Sequence, residues 1–255
     1  MMKNLEYYFD LLQVLTLKEI KVRYKNSLLG YLWSILNPLS LALVFYFAFK
    51  FVMKIKIENF ALFLICGLFP WQWFANSISA SAGFLLANAS LIKKVNFPKQ
   101  FVPLAGVLND TFHFLASLPV ILGFLFLYQL SPTVHWFYCL PLLIFAQLLI
   151  TYGGTLIVSS INLFFRDLER LVMIALNIIF YLTPIIYDIT FVPEKYRKYF
   201  LLNPLYGLIE NWRLLFMKGY INWELYFVSL IHGFFIVGIG FYTFTKLSYR
   251  FAEVV

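Results

Sequence analysis

The chain has 255 residues, of which 62% are hydrophobic and only 13% charged, with a mean hydropathy of +0.81 and a net charge of +8. A water-soluble fold of this length with that composition would leave large apolar surfaces exposed, so lipid must supply the missing partner surface. The positive charge is spread through short segments between apolar runs rather than gathered on one soluble face. That distribution favours anionic lipid headgroups over nucleic acid as the complementary surface.

The first 33 residues carry many charges and no apolar stretch followed by a small-residue cleavage site, so no cleavable leader is expected. Leu5, Tyr8, Phe9, Leu12 and Leu15 recur at helical spacing, while Glu6, Asp10 and Gln13 turn elsewhere, which predicts an amphipathic helix lying in the membrane interface. Lys18, Lys21 and Lys25 continue along one face with Arg23 nearby, and Glu19 is placed to pair with Arg23 four residues on. This basic stripe can face phosphate groups or simply be solvated. Gly30 can release the helix into a turn, Trp33 can anchor at the headgroups, and Pro38 is expected in the first turn of the next helix.

A bilayer core of about 30 Å takes about 20 apolar residues at 1.5 Å rise per helical residue. Four stretches, 60–87, 101–128, 134–165 and 225–247, meet that requirement. Two shorter ones, 34–53 and 171–187, join them if Lys50 snorkels and the bilayer thins or the helices tilt. The expectation is therefore six spans within one membrane domain covering 1–255: an N-terminal segment 1–33, spans one to five within 34–187, a segment 188–224, and span six at 225–247. With six spans, twelve Lys and Arg residues fall on the side of the termini and eight on the other, Arg213 and Lys56 among the eight. That bias predicts cytoplasmic termini.

The loop after span two places Lys93, Lys94 and Lys99 around Asn96, Phe97 and Pro98, a basic piece with an aromatic knob expected to be exposed. The segment 188–224 is too polar to cross a bilayer yet rich in apolar residues, including Leu208, Trp212 and Leu215. Pro193 and Pro204 divide it, which predicts two short helices separated by a turn, dipping into the outer leaflet, covering a channel mouth or lying as an ordinary interfacial loop. Cys66 and Cys139 sit inside apolar spans without metal-ligand spacing and read as packing residues, so no metal site is expected.

Nowhere does a phosphate-cradling GxxxxGK[ST] loop, HExxH or GxSxG occur. Asp110 and His113, three apart in the third span, read first as a structural polar pair and otherwise as a proton site, a contact for a transported molecule or the acid and base of a membrane enzyme acting on a lipid-linked sugar; His232 stands in the sixth span. Aromatic residues make up 21% of the chain, and Tyr46, Phe49, Phe84, Phe180 and Tyr181 lie well inside spans. Individually such rings can face lipid; as a group they suit the apolar C–H faces of sugar rings.

Four strings in order, KEIKVRYKNSLLGYLWSILNPL from Lys18, SLIKKVNFPKQFVPL from Ser90, RDLERLV from Arg166 with TPIIY from Thr183, and LNPLYGLIENWR from Leu202, together with the ending KLSYRFAEVV, resemble the type-2 ABC exporter permeases that move cell-surface polysaccharides. The resemblance spans nearly the whole chain and is closest to the permeases for O-antigen; those for teichoic acid and capsule look similar. It implies an all-α membrane protein with six transmembrane helices of the ABC-2 (type V exporter-like) fold, an N-terminal interfacial helix and short re-entrant or gate helices before the last span. It implies a transport subunit rather than an enzyme, a homodimer joined by two copies of a separate ATP-binding subunit, with ATP and Mg bound there and no cofactor on this chain. The cargo it implies is a lipid-linked polysaccharide on an undecaprenyl pyrophosphate anchor, exported across the bacterial inner membrane. Under it, Lys93, Lys94, Asn96, Phe97, Pro98 and Lys99 would contact the ATPase; Lys18, Lys21, Arg23 and Lys25 would receive the pyrophosphate or headgroups; Tyr46, Phe49, Phe84, Phe180 and Tyr181 would line the polymer's path; and Pro193, Pro204, Leu208, Trp212 and Leu215 would gate the outer mouth. An exporter of a small lipid or drug built on the same fold is the neighbouring reading.

Because no phosphate-cradling loop is present, the purified chain should hydrolyse no ATP by itself. Phosphate release measured with and without an ATP-binding partner tests this, and sustained turnover by the contaminant-free chain would overturn it.

Overall fold

The protein is described by a computed structural model that covers residues 2–23, 32–54 and 57–254. Lys25, Gly30 and Lys56 lie outside the described residues, as does the side chain of Arg23. Among the described residues the regular elements are all helical. They are α1 (Met2–Arg23), α2 (Leu32–Tyr46) running into a π-helical turn (Phe47–Val52), α3 (Phe60–Ala87), α4 (Ala89–Lys94), α5 (Phe101–Leu127), α6 (Trp136–Asn162) and α7 (Leu168–Leu182). There follow α8 (Glu194–Arg197) between two 3-10 turns (Ile189–Phe191 and Lys198–Leu202), α9 (Tyr206–Arg213) winding into a π-turn (Leu214–Lys218), α10 (Trp223–Ser248) and α11 (Phe251–Val254).

Among the described residues, five helical segments, Ile35–Val52, Phe60–Ala87, Phe101–Leu127, Trp136–Asn162 and Trp223–Ser248, are long and apolar enough to cross a membrane. The fifth expected span, 171–187, is longer as an apolar run than the helix that forms there. At 15 residues α7 rises only about 22 Å, because Pro184 cannot continue the helix and residues 183–187 leave it as a buried non-helical turn. Pro38 also departs from expectation: it lies inside α2 rather than in its first turn, leaving the backbone carbonyl four residues earlier without a helical donor.

Two apolar clusters show which helix ends lie together. One gathers Leu15 of α1, Phe84 and Leu85 at the end of α3, Ile92, Phe97, Val102, Leu163, and Phe244 and Phe251 at the end of the chain. The other runs from Phe60 at the start of α3 through Trp73 and Ile121 to Trp136, Leu208 and Trp212. Since α1 and the end of α10 meet in the first cluster, the intervening chain passes between the two ends an even number of times. The fifth of these passages, which completes an even number with the five long segments, is α7 together with the turn 183–187.

The pairing of α6 with α10 is made possible by small residues. A Cβ at Gly153 would stand 2.6 Å from the Val237 backbone nitrogen, and one at Gly240 would stand 2.6 Å from the Gly153 carbonyl oxygen. Neither backbone can yield, so these positions bring the two helices within the close approach typical of membrane helix pairs.

The segment 203–222 returns into the protein, and its anchor is Trp212, which has no exposed surface. Its indole Nε1 donates to Gln147 Oε1 at 3.3 Å, and its ring meets Phe114 at 4.9 Å and Phe216 at 5.4 Å between centroids. One turn on from Ile209, Arg213 is equally enclosed, at 3% exposure. Its guanidinium donates to the carbonyls of Pro184, Ile185 and Phe63, lies 3.7 Å from the Phe63 ring centroid and faces Glu210 at 3.8 Å. Arg213 is therefore not a loop charge of the outer side, as the sequence count has it. It is a buried clamp joining α3, the 183–187 turn and α9.

Removing the guanidinium would strand two turn carbonyls and a half-buried carboxylate. Arg213→Ala should cost about 3–5 kcal/mol of stability, and Arg213→Lys should recover little, since an ammonium cannot reproduce the planar fork. Detergent-solubilised unfolding compared with the parent chain measures this; a loss below about 1 kcal/mol would show that the clamp is dispensable.

Candidate functional site

A groove of 360 Å³ runs between α2, α3 and α7. Its walls carry Phe45, Trp71, Phe180 and Tyr181 together with Asn76, Ser79 and Asn177. The rings form a connected set: Phe45 stacks on Phe180 at 5.8 Å, Trp71 leans on Phe180 at 5.4 Å, and Phe180 meets Tyr181 edge-on at 5.2 Å. Amides and a hydroxyl set among rings, on two segments of membrane-crossing length and the shorter α7, can bind hydroxyl-rich molecules by hydrogen bonds while the rings cover their apolar faces.

Of the five aromatic residues expected along a path, only Phe180 and Tyr181 line this groove. Tyr46 and Phe49 turn to Phe60, at 6.3 and 6.1 Å, and Tyr46 lines a separate, almost wholly apolar groove of 450 Å³ with Leu36, Leu43 and Ile65. Phe49 still touches the groove's Phe45 at 6.2 Å. Phe84 does not belong to the set, because it is buried at the other end of α3 against Gly106, where a Cβ would collide with its ring. The groove residues that single-residue reading overlooked are Phe45, Trp71, Asn76, Ser79 and Asn177. Their signal was present as Gln72, Asn76 and Ser79, a polar stripe at helical spacing in an otherwise apolar span.

Asp110 and His113 are buried on α5, where Ser77 Oγ donates to Asp110 Oδ2 at 2.7 Å. With Gln72, Trp73, Asn76 and Ser117 they line a cavity of 20 Å³. That volume holds about one water molecule. A sugar has no room there, which removes the basis for an acid–base reaction at this pair.

At the other end, α1 is tied to the junction of α3 and α4. Lys18 Nζ donates to Asn88 Oδ1 and lies 3.5 Å from Glu19, while Asn88 Nδ2 donates to Phe84 O at 2.9 Å and to Glu19 at 3.4 Å. Glu19 thus pairs with Lys18 and Asn88 among the described groups. Lys21 is exposed on the same helix.

Around α4 the expected basic knob divides in two. Lys93, Lys94 and Asn96 are exposed and Pro98 is half-buried. Phe97, by contrast, is 6% exposed and packs in the cluster with Leu15, Val102 and Phe251, so the aromatic knob faces inward. Lys99 also turns in, its Nζ donating to Ser248 O at 3.0 Å above the Phe251 ring. Burial of a large ring outweighs display because this loop must connect α4, α5 and the end of α10 in a few residues.

The two short helices expected between 188 and 224 are present, α8 with its 3-10 turns and α9 with its π-turn, separated at 203–205. Pro193 is exposed and Pro204 half-buried. Leu208, Trp212 and Leu215 are fully enclosed against α3, α5 and α6, so they form a wedge in the core and do not face a mouth.

A multi-pass helical chain with a buried re-entrant wedge, a groove of rings and amides and a basic end is a membrane transport subunit in outline. Residues 10–217 match the ABC-2 type transporter family, and the chain belongs to it. It is 48% identical over 252 residues to the O-antigen export system permease protein RfbA of Klebsiella pneumoniae, covering 99% of this chain and 97% of that protein. A protein of the same name from Myxococcus xanthus is 34% identical over 86% of this chain and 84% of its own length. The polysialic acid transport protein KpsM of Escherichia coli is 26% identical over 82% of each.

With its ring inside, Phe97→Ala should leave a cavity and cost about 3–5 kcal/mol, loosening α1 and α10 as well as α4. Unfolding of the solubilised variant measures the loss. A stability unchanged from the parent would return Phe97 to the surface role expected from its sequence context.

Proposed function

We propose that this chain is the permease of an ATP-driven exporter of lipid-linked O-antigen or a related surface polysaccharide, working in the bacterial inner membrane as part of lipopolysaccharide biosynthesis. Relatives named for O-antigen export at 48% and 34% identity, and one named for polysialic acid transport, support the cargo class. The groove between α2, α3 and α7 is the observation in this chain that carries the reading. Its rings offer stacking surfaces worth about 0.5–1.5 kcal/mol per pair, weak enough that each sugar can be released as the next arrives. Asn76, Ser79 and Asn177 offer exchangeable hydrogen bonds to sugar hydroxyls.

In this reading two copies of the chain face each other, so that exposed apolar flanks such as Leu43, Val44 and Phe47 on α2 and the π-turn after it, with Ile174 and Ile178 on α7, are covered and the two grooves enclose one passage. Both termini lie in the cytoplasm, where the cation-rich end places Lys18, Lys21, Lys93, Lys94 and Arg170. The exposed face of Lys93, Lys94 and Asn96, rather than Phe97, meets each of two ATP-binding subunits, which hold ATP and Mg. Lys21, with Arg23 and Lys25, receives the undecaprenyl pyrophosphate anchor, while Lys18 is already engaged by Asn88. The segment 189–205 at the opposite end opens and closes above the passage, and α9 is the fixed wedge against which it moves.

Replacing Phe45, Phe180 and Tyr181 together with Ala should reduce surface polysaccharide at least about tenfold, with each single change mild. Partner-dependent ATP hydrolysis should stay near the parent value. Surface polymer measured at matched protein level in a deletion strain reads the effect, and normal export from the triple variant would remove the groove from the polymer's path.

A further inference from the structure

The opposite end carries three cations within four residues, Lys195, Arg197 and Lys198, although it is the cation-poorer end of the protein. Arg197 is consumed by the fold: its Nε donates to Val192 O at 2.9 Å, its Nη2 to Thr190 O at 3.0 Å, and it faces Glu194 at 4.0 Å. The two lysines are used differently. Both are exposed, Lys195 Nζ lying 4.7 Å from the Tyr196 ring centroid and Lys198 Nζ 5.4 Å from that of Tyr199. Glu194 and Asp188 are the acidic residues of this segment, and Asp188 accepts from the Thr190 backbone.

Tyr199 is also a wall of an open groove of 410 Å³, closed otherwise by Phe74 of α3, Ile179 and Leu182 of α7, and Leu202 and Pro204. That groove is apolar apart from Asn203 and the Tyr199 hydroxyl, and Asn203 Nδ2 is occupied by Thr183 Oγ1 at 2.8 Å. An apolar slot alongside α7, rimmed by Tyr and Lys beyond the end of that helix, matches an acyl chain below and an anionic headgroup above. We propose that this groove binds an anionic phospholipid of the surrounding bilayer, one acyl chain against Ile179, Leu182 and Leu202, and its phosphate held by Lys198 with Lys195 beside it. The charge argues for this occupant: a purely apolar partner would gain nothing from two lysines, and a zwitterionic lipid would present its own cation to them. Bound there, the lipid would brace the 198–205 turn against the end of α7.

Native mass spectrometry and thermal unfolding of the full chain in detergent test this, with phosphatidylglycerol, phosphatidylcholine and undecaprenyl pyrophosphate as separate additions. The expected result is retention of phosphatidylglycerol and a rise in unfolding temperature with it alone. Lys198→Gln should weaken that binding about fivefold, Lys195→Gln/Lys198→Gln about 25-fold, and Lys198→Arg should keep it. The unfolding temperature without lipid should be the same in all of them. Leu182→Trp, which fills the slot and leaves both lysines, should abolish retention. Equal retention of phosphatidylcholine, or phosphatidylglycerol binding unchanged in the double variant, overturns the proposal. So does preference for undecaprenyl pyrophosphate, which would make the groove a cargo site. Loss of all lipid binding on dimer formation would make it an interface between copies.

Discussion

The guanidinium of Arg213 is the interaction on which the arrangement of the half remote from α1 depends. No water is available in a bilayer core to satisfy free carbonyls, so a chain that breaks helix there must find donors within the protein. Pro184 breaks α7, and the carbonyls of Pro184 and Ile185 are met by Arg213, which also reaches Phe63 O on α3. One planar guanidinium thus ties the end of the short α7 and its turn to α9 and to α3. Glu210, one helical turn before it, supplies the balancing charge at 3.8 Å. Gly67 leaves the space, since a Cβ there would stand 2.9 Å from the Arg213 Nη2 atom.

The other end is built on the opposite principle. There the contacts among α1, α4, the loop before α5 and the end of α10 are mostly apolar, with Phe97 and Phe251 at their centre. A small polar knot sits at the edge, where Asn88 links Lys18 and Glu19 of α1 to the carbonyl of Phe84. A displacement of α4 is therefore felt at once by α1 and by the end of α3, because a packed cluster has no void to absorb it. Proximity of a nucleotide-driven partner to α4 and of an anionic lipid to α1 would make these two surfaces neighbours in energy as well as in space.

Between the ends lies a polar stripe that lipid alone would penalise. Gln72, Asn76 and Ser79 on α3 are half-buried and Asn177 on α7 is exposed in one copy of the chain. Polar groups at membrane depth are kept where they meet water, a partner or cargo. The mixture of Asn76 and Asn177 with Phe45, Trp71 and Phe180 distinguishes the groove between α2, α3 and α7 from its apolar neighbour lined by Leu36, Leu43 and Tyr46.

The run lengths of apolar residues determined by themselves that this is a helical membrane protein, and the ordered motifs pointed to its family, because span length and composition are local properties that survive without tertiary information. Pro193 and Pro204 likewise announced two short helices before the last span, since a missing N–H acts on its own neighbourhood. Only the tertiary structure decided which way side chains face. Phe97 turned in because three elements converge on it, Arg213 became a clamp because carbonyls 29 and 28 residues away needed donors, and Tyr46 and Phe180, both aromatic and both inside spans, parted to different grooves. Such outcomes depend on neighbours distant in the chain, and no local pattern of residues encodes which neighbour arrives.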